Sequence, residues 1–446
     1  MRIRRRFTAL IYRLLSRFTE RFPGGGAAVV DRAIFATYGN PLLHRAIHRR
    51  DARRLGDDYR RICVLADLHI GDAILSMAAV SGLRDLFPDA RIDYVANPVA
   101  APLLAGDLDV TEVLPAYTGT AFPDERDLAA VDALLARGGY DLVVDLCPFL
   151  KPDRLALAPG TAAVGYLGVA ARVVEAQRDP RTAGHLSVQT RRFVHRLFTG
   201  KKDPVRDAVF RGPRVTLTTD TAERVARFLR AAGLDEAAPK VLLNPDTTSA
   251  FTRIPEAMLA RLLDGLTAGP AEVLLEHGRS SEGLERRLLD ALPAAKRRRV
   301  TLVPPTLRLE DYAALLDACD VFVTGDGGPL HIAAARKLAA GDAWSPRNRT
   351  AVLSIFGATP SRVYGYDSVR PGYLPANQDA PSRAWDAEST CRTFAHINKG
   401  AIACADARCF FGALGVDAIV EAAHAWCALP AARRRAALGA GAPAAA

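Results

Sequence analysis

Residues 320–337 read DVFVTGDGGPLHIAAARK. Val321–Thr324 is a short apolar and β-branched run, the mark of a buried strand. It stops at Gly325, Asp326, Gly327 and Gly328, and Pro329 then opens a helix that continues to Lys337. Proline suits a first helical position, where its missing N–H costs nothing. Glycines let a ligand approach the backbone, and the free N–H groups and dipole of a new helix suit a diphosphate. Strand, glycine turn and helix in this order belong to a parallel sheet covered by helices.

The same texture surrounds this stretch. Lys240–Asn244, Glu272–Glu276, Val300–Val303 and Ala351–Phe356 read as further strands, with helices at Pro255–Leu266, Ser281–Leu292 and Leu309–Ala318. Upstream, Ile62–Ala66, Ile92–Ala96 and Asp141–Leu146 are strands and Ala73–Leu86 is a helix. Two doubly wound units in succession imply a cleft between them, with ligands at the carboxyl ends of the strands. Thr161–Thr216 holds the crossover to the second unit. Leu155–Ala171 carries no charge, but Pro159, Gly160, Gly165 and Gly168 make it loop and turn rather than a membrane span. Leu338–Arg349 reads as an insertion and Val416–Leu429 as a helix. The divisions expected are 1–60, an extension; 61–215, a first lobe; 216–412, a second lobe; 413–429, a C-terminal helix; and 430–446, a disordered tail rich in Ala, Arg and Gly.

The chain has 446 residues, with 49% hydrophobic and 24% charged, which excludes a largely disordered protein. Its net charge of +10 is concentrated. Residues 1–60 hold fourteen Arg, no Lys and five acidic residues, so the other 386 are nearly neutral. A nucleic-acid enzyme spreads positive charge over its binding face, so nucleic acid is not the expected partner. Ile3, Phe7, Leu10, Ile11, Leu14, Leu15 and Phe18 recur at spacings of three and four, with most of the arginines off that stripe. This is a basic amphipathic helix of the kind that lies on an anionic membrane surface, and packing on the protein's own body is the alternative. Arg13 and Arg17 interrupt the apolar run, which argues against a secretory signal. Seven scattered cysteines suit a reducing compartment. The spacing of Cys391, Cys404, Cys409 and Cys427 is not that of a zinc site, and a lone carboxylate pair such as Asp107-Leu108-Asp109 seldom makes a metal site, so no metal is expected.

Three motifs can carry chemistry. ADLHIGDA (66–73) places Asp72 at or near a helix start, where it either caps the helix or faces the site as a general base. LNPDTTSAFTRIPE (243–256) offers the hydroxyls of Thr247, Thr248 and Ser249 and the fixed charge of Arg253 to phosphate oxygens. In the glycine turn, Asp326 can hold a ribose hydroxyl or order the loop, and His331 either faces the site or is packed.

Together these motifs resemble the family-nine glycosyltransferases, the group that includes lipopolysaccharide heptosyltransferases. The resemblance rests on Ile70-Gly71-Asp72, on Phe87–Pro115, on Asp326, Gly328 and His331 as Asp-x-Gly-x-x-His, and on Phe356, Gly357 and Thr359 as Phe-Gly-x-Thr. The stretch Cys409–Ala423 is similar to the family's closing cysteine and helix. The chain departs from the pattern at Ala66, Leu68 and His69, where the family often has a basic residue and a Ser pair, and at Thr252, where Lys is common.

The resemblance implies an α/β fold of the GT-B type, two Rossmann-like lobes with a cleft, here with a basic helical N-terminal extension. It implies an inverting, metal-independent sugar transfer that needs no cofactor. The acceptor, a lipopolysaccharide-core or other lipid-linked saccharide, would bind the first lobe, and a nucleotide-diphosphate sugar, plausibly ADP-heptose, the second. Asp72 would be the general base. Thr247, Thr248 and Arg253 would offset charge on the leaving diphosphate, which Asp326, Gly327 and Gly328 hold, with His331 in support. Glu282, four residues after Gly278, would reach the ribose. The expected place is the cytoplasm, peripheral on the inner face of the cell membrane through residues 1–22. A non-catalytic nucleotide- or saccharide-binding module of the same fold, or a nucleotide-sugar epimerase, are the competing expectations.

Overall fold

The structure is a computed structural model of the 446-residue chain. It describes residues 49, 52–53, 55–66, 69–107, 109–116, 125–146, 155–165, 184–200, 215, 217–235, 237–247, 252–278, 282–338, 350–357, 359–370, 382–386 and 414–429. The amphipathic stretch at 3–18, the insertion at 339–349, Thr248, Ser249, Cys391, Cys404, Cys409 and the tail from 430 lie outside the described residues. Contacts divide the chain into two units, the first of residues 1–213 with 392–405 and the second of residues 214–391 with 406–446.

In the first unit, β1 (Arg61–Leu65), β2 (Arg91–Ala96), β3 (Glu112–Pro115), β4 (Leu142–Asp145) and β5 (Ala162–Val164) form one sheet in the order β3-β2-β1-β4-β5. Each neighbouring pair is parallel. Its helices are α1 (Ile70–Leu86), α2 (Ala101–Leu104), α3 (Glu125–Gly138) and α4 (Leu186–Thr199). Parallel strands are covered on both faces, which is why β1 and β4 are apolar runs without alternation. On one face Cys63, Leu65, Val95 and Val143 pack with Val131, Leu134 and Leu135 of α3. Helix α1 is buried from Ala73 to Leu83, and α4 lies against it. Arg191 of α4 crosses that contact, donating to Ser81 at 2.8 Å and pairing with Asp85 at 2.6 Å.

The stretch expected to be loop and turn around Pro159 and Gly165 contains β5. A three-residue edge strand is too short to show a period. Gly165 ends it with φ +125°, and a Cβ there would lie 2.3 Å from the Asp145 carbonyl oxygen. The chain leaves the sheet edge at that point only because the residue is glycine.

The second unit holds β6 (Lys240–Leu243), β7 (Glu272–Leu275), β8 (Val300–Leu302), β9 (Val321–Gly325), β10 (Ala351–Phe356) and β11 (Ser382–Asp386) in the order β11-β10-β9-β6-β7-β8. All five pairings are parallel. Helices α5 (Thr219–Ala231), α6 (Glu256–Leu266), α7 (Leu284–Asp290), α8 (Ala294–Arg297), α9 (Leu309–Ala318), α10 (Gly328–Leu338), α11 (Ser361–Tyr364) and α12 (Val416–Ala428) complete it. In this sheet the order of connection reverses between β6 and β9; in the first it reverses between β1 and β4. Loops that leave the carboxyl ends at such a reversal diverge and leave a crevice, the usual ligand position in open α/β sheets. The fold therefore singles out the loops after β6 and β9, and the loop after β1 that leads to Asp72.

Candidate functional site

The loops after β6 and β9 meet in the second unit. A Cβ on Gly325 would lie 3.2 Å from the Thr247 methyl and 3.3 Å from the Thr252 carbonyl oxygen. One on Gly327 would lie 3.5 Å from the same methyl. Thr247 thus presents its methyl to the glycine turn, while its hydroxyl is 2.8 Å from that of Thr252. This modifies the expected role, because one hydrogen-bonding direction of the Thr247 hydroxyl is already used within its own loop.

Arg253 is 32% exposed and forms a 3.2 Å ion pair with Asp246, whose side chain is 7% exposed. Asp246 is itself fixed, since its backbone N–H donates to the Asn244 side chain at 2.9 Å. The charge of Arg253 is therefore held in place by a buried counter-ion that the motif reading did not single out. The Pro-Asp turn within 243–256 was the available signal.

Helix α10 begins at Gly328, directly after Gly325, Asp326 and Gly327, with the Gly327 carbonyl accepting from the Leu330 N–H at 3.1 Å. Leu330, Ile332, Ala333, Ala334 and Ala335 are buried. This fixes where the free N–H groups of the first turn point. Asp326 accepts a hydrogen bond from Thr359, in the connection after β10. Protein surrounds its carboxyl apart from a narrow exposure, and burial pushes the pKa up to about 6 against the pull of Thr359. His331, one turn along, is 4% exposed, and burial pushes its pKa down to about 3. It is a neutral imidazole near neutral pH. Its Nδ1 is 3.1 Å from the Tyr366 hydroxyl. Burial and nearby Asp326 raise the Tyr366 phenol, so it keeps its proton.

Thr247, Asp326, Gly327, Gly328 and His331 are thus brought to one place, with Arg253 on the loop beside them. Glu282 is not brought there by any contact: it is exposed in the turn before α7, and its carbonyl accepts from Arg287 at 3.0 Å. On that side Glu285 is the buried acid, 3.1 Å from the His277 ring. Thr359 was legible as part of Phe-Gly-x-Thr, whereas Tyr366 carries no signal in the sequence.

In the first unit Asp72 is the third residue of α1 and is half-buried. The helix is preceded by His69 in an extended conformation, with no side-chain cap. Asp72 is therefore not the N-cap, although a carboxylate in the first turn also suits the dipole. Asp107 accepts from the Asp109 N–H at 2.9 Å, a local turn, and no group of candidate metal ligands occurs among the described residues. Cys427 is a buried thiol.

Residues 130–339 match the model of glycosyltransferase family 9 (heptosyltransferase), a span that runs from α3 through α10. Over that span, which is less than half of its length, the chain is similar to the family-nine glycosyltransferases. A lipopolysaccharide heptosyltransferase 3 of Escherichia coli is 22% identical over 298 residues, covering 65% of this chain and 81% of that protein. Among solved structures, a family-nine glycosyltransferase from Veillonella parvula superposes with a TM-score of 0.55 at 16% identity, over 74% of this chain and 87% of its own. The E. coli ADP-heptose lps heptosyltransferase II does so at 0.53 and 14%, over 82% and 98%. The likeness to both is one of fold.

Asp326 is a half-buried acid kept at a cost. Its carboxyl is harder to ionise in the folded chain than in the unfolded one, so wild-type stability falls as pH rises from about 4 through about 6. Raising the pKa from 3.8 to about 6 corresponds to at most about 3 kcal/mol, an upper bound because some water contact remains. Asp326→Asn keeps an acceptor for Thr359 and carries no charge. Denaturant titrations at pH 4, 5, 6 and 7.5 should show the variant gaining on the wild type up to that limit above pH 6, with the difference closing near pH 4. A difference that does not change with pH would remove the buried-carboxylate account.

Proposed function

We propose that this chain transfers a heptose from ADP-heptose to a lipopolysaccharide-core or other lipid-linked saccharide. The observation that carries the donor half is the meeting of the loops after β6 and β9, with the Thr247 methyl against Gly325 and Gly327 where the sheet order reverses. That place combines bare backbone, a helix N-terminus and a positioned arginine, the equipment for a diphosphate. ADP-heptose is the donor proposed because the superposable E. coli structure is named for it.

In this reading the acceptor binds the first unit and Asp72 takes the proton from its hydroxyl. The oxygen forms a bond to the anomeric carbon from the face opposite the leaving group, so configuration inverts. The bond from that carbon to the diphosphate oxygen breaks and its electron pair leaves with the nucleoside diphosphate. Arg253, the α10 N-terminus and Thr247, with Thr248 from the same loop, offset the charge that builds there, so the protein's own groups serve where a metal ion otherwise would. Glu282 is assigned to the ribose on the family resemblance alone. The basic stripe at residues 1–22 would hold the enzyme on an anionic membrane surface at the cytoplasmic face. No helix among the described residues is long and apolar enough to cross a membrane.

Thermal unfolding with ADP, GDP, UDP and CMP tests the donor site. One diphosphate, expected to be ADP, should stabilise the wild type by about 2.7 kcal/mol at 100 times its dissociation constant. Asp326→Ala should abolish that gain, and a gain that survives the substitution would place the nucleotide elsewhere. Asp72→Asn should lower sugar transfer at least about 100-fold while leaving nucleotide affinity within twofold. Full transfer by that variant would refute its role as base. Removing residues 1–22 should release the protein from vesicles containing anionic lipid, and salt should do so in part. Equal binding of the shortened chain would end the membrane proposal.

A further inference from the structure

We propose that the segment after β10 sets the geometry of the phosphate loop, Tyr366 acting through His331 and Thr359 acting through Asp326. The inference rests on the donor-site reading above and assigns positioning roles to two residues outside that loop.

Asp326 in the glycine turn and His331 in the first turn of its helix are both gripped from one segment. Thr359 donates to Asp326. Seven residues later, the Tyr366 hydroxyl is 3.1 Å from His331 Nδ1, and the two rings meet edge to face with centroids 5.9 Å apart. Tyr366 is 1% exposed, so little besides its partners determines where its hydroxyl sits. The segment is in turn fastened to β11. Asp367 accepts from the backbone N–H groups of Val369, Arg370 and Ala384 at 3.0, 2.9 and 3.2 Å. The Ser361 N–H donates to Asp386 at 2.9 Å. The grip therefore reaches from the edge strand β11 through to α10.

The chemistry of His331 makes that grip matter. An imidazole that stays neutral offers a phosphate oxygen a hydrogen bond, not a full charge. A hydrogen bond weakens steeply with angle, so its value depends on how the ring is turned. Tyr366 holds one ring nitrogen and thereby fixes the direction of the other. Thr359 does the equivalent for Asp326, whose carboxylate can otherwise rotate.

Tyr366→Phe keeps the ring and removes one hydroxyl. The experiment is a double-mutant cycle on nucleotide affinity by calorimetry, with ADP, GDP and UDP as probes. Its corners are wild type, Tyr366→Phe, His331→Ala and the double variant. Tyr366→Phe should weaken the preferred diphosphate about five- to tenfold. The double variant should be no weaker than His331→Ala alone, because the tyrosine acts only through the histidine. Losses that simply multiply, or a Tyr366→Phe affinity equal to wild type, would overturn the proposal while leaving the donor site standing. A wild type that binds none of the three probes would overturn both. Thr359→Val with Asp326→Asn forms a second cycle read in the same way, and it decides the matter should Tyr366→Phe fail to fold.

Discussion

One close approach governs the second unit: a Cβ on residue 325 would lie 3.2 Å from the Thr247 methyl, tighter than ordinary contact, while one on residue 327 would meet the same methyl at 3.5 Å. Two loops can converge there because β6 and β9 are neighbours in the sheet although their first positions, Lys240 and Val321, are 81 apart in sequence. The parallel pairing supplies the convergence and the missing Cβ atoms supply the room. Any larger residue at 325 would push on the Thr252 carbonyl oxygen as well as on Thr247. Backbone cannot yield as a flexible side chain can, so the position tolerates little beyond glycine. The loop with the arginine and the loop with the helix N-terminus are thereby locked to each other before any ligand arrives. Such preorganisation is what makes fixed dipoles effective toward developing charge.

A second regularity is the placement of ionisable groups that a core built for stability alone would omit. Asp326, His331 and Tyr366 lie together with little water, and burial drives the carboxyl and the phenol up and the imidazole down. Each shift marks a charged form that the surroundings disfavour. Near neutral pH His331 and Tyr366 stay neutral, which makes them directional contacts in place of charges, while Asp326 is a hydrogen-bonded carboxylate above about pH 6. The cation nearby is Arg253, and it is paired with Asp246. The site thus combines an anchored cation, oriented hydrogen-bonding groups and a helix end. Perturbed groups gather at functional sites for this reason.

The strands that carry the site were readable because each is an apolar run ending in glycine or a small polar turn, as in β6 and β9. Helices such as α4 and α5 were harder. LSVQTRRFVHRLFT and TDTAERVARFLRA are arginine-rich and amphipathic, and although Gly184 and Gly200 bracket the first and Gly233 follows the second, they sit among long polar stretches. The edge strands β5 and β11 were missed because three and five residues show too little period to outweigh nearby prolines. The site divides along the same line. Asp326, Gly327, Gly328 and His331 lie in one contiguous motif, so their grouping followed from local order. Thr247 was placed by its own motif, although the face it presents was not. Tyr366 and Asp246 matter through partners 35 and 7 positions away, contacts that only the folded chain displays. Glu282 was selected by its match to a family acid; it lies exposed beside the turn at Gly283, while Glu285 is buried.

The far end of α10 extends the argument. Arg336, 4% exposed, donates to both carboxylate oxygens of Asp317 on α9, and a third hydrogen bond goes to the Val215 carbonyl. A buried ion pair of this kind seldom adds net stability over apolar packing, but removing one partner leaves a charge stranded. Its effect is on geometry. The helix whose first turn faces the proposed phosphate position is pinned at its last turns to α9 and to the start of the second unit. The alanine face of α10 lets it lie close on the sheet, and Arg336 keeps it from sliding along that face. A shift of one residue along the helix axis is about 1.5 Å, enough to misdirect the N–H groups at the other end. The two ends of α10 therefore serve one purpose: the buried pair fixes the axis, and the glycine turn exposes what that axis aims.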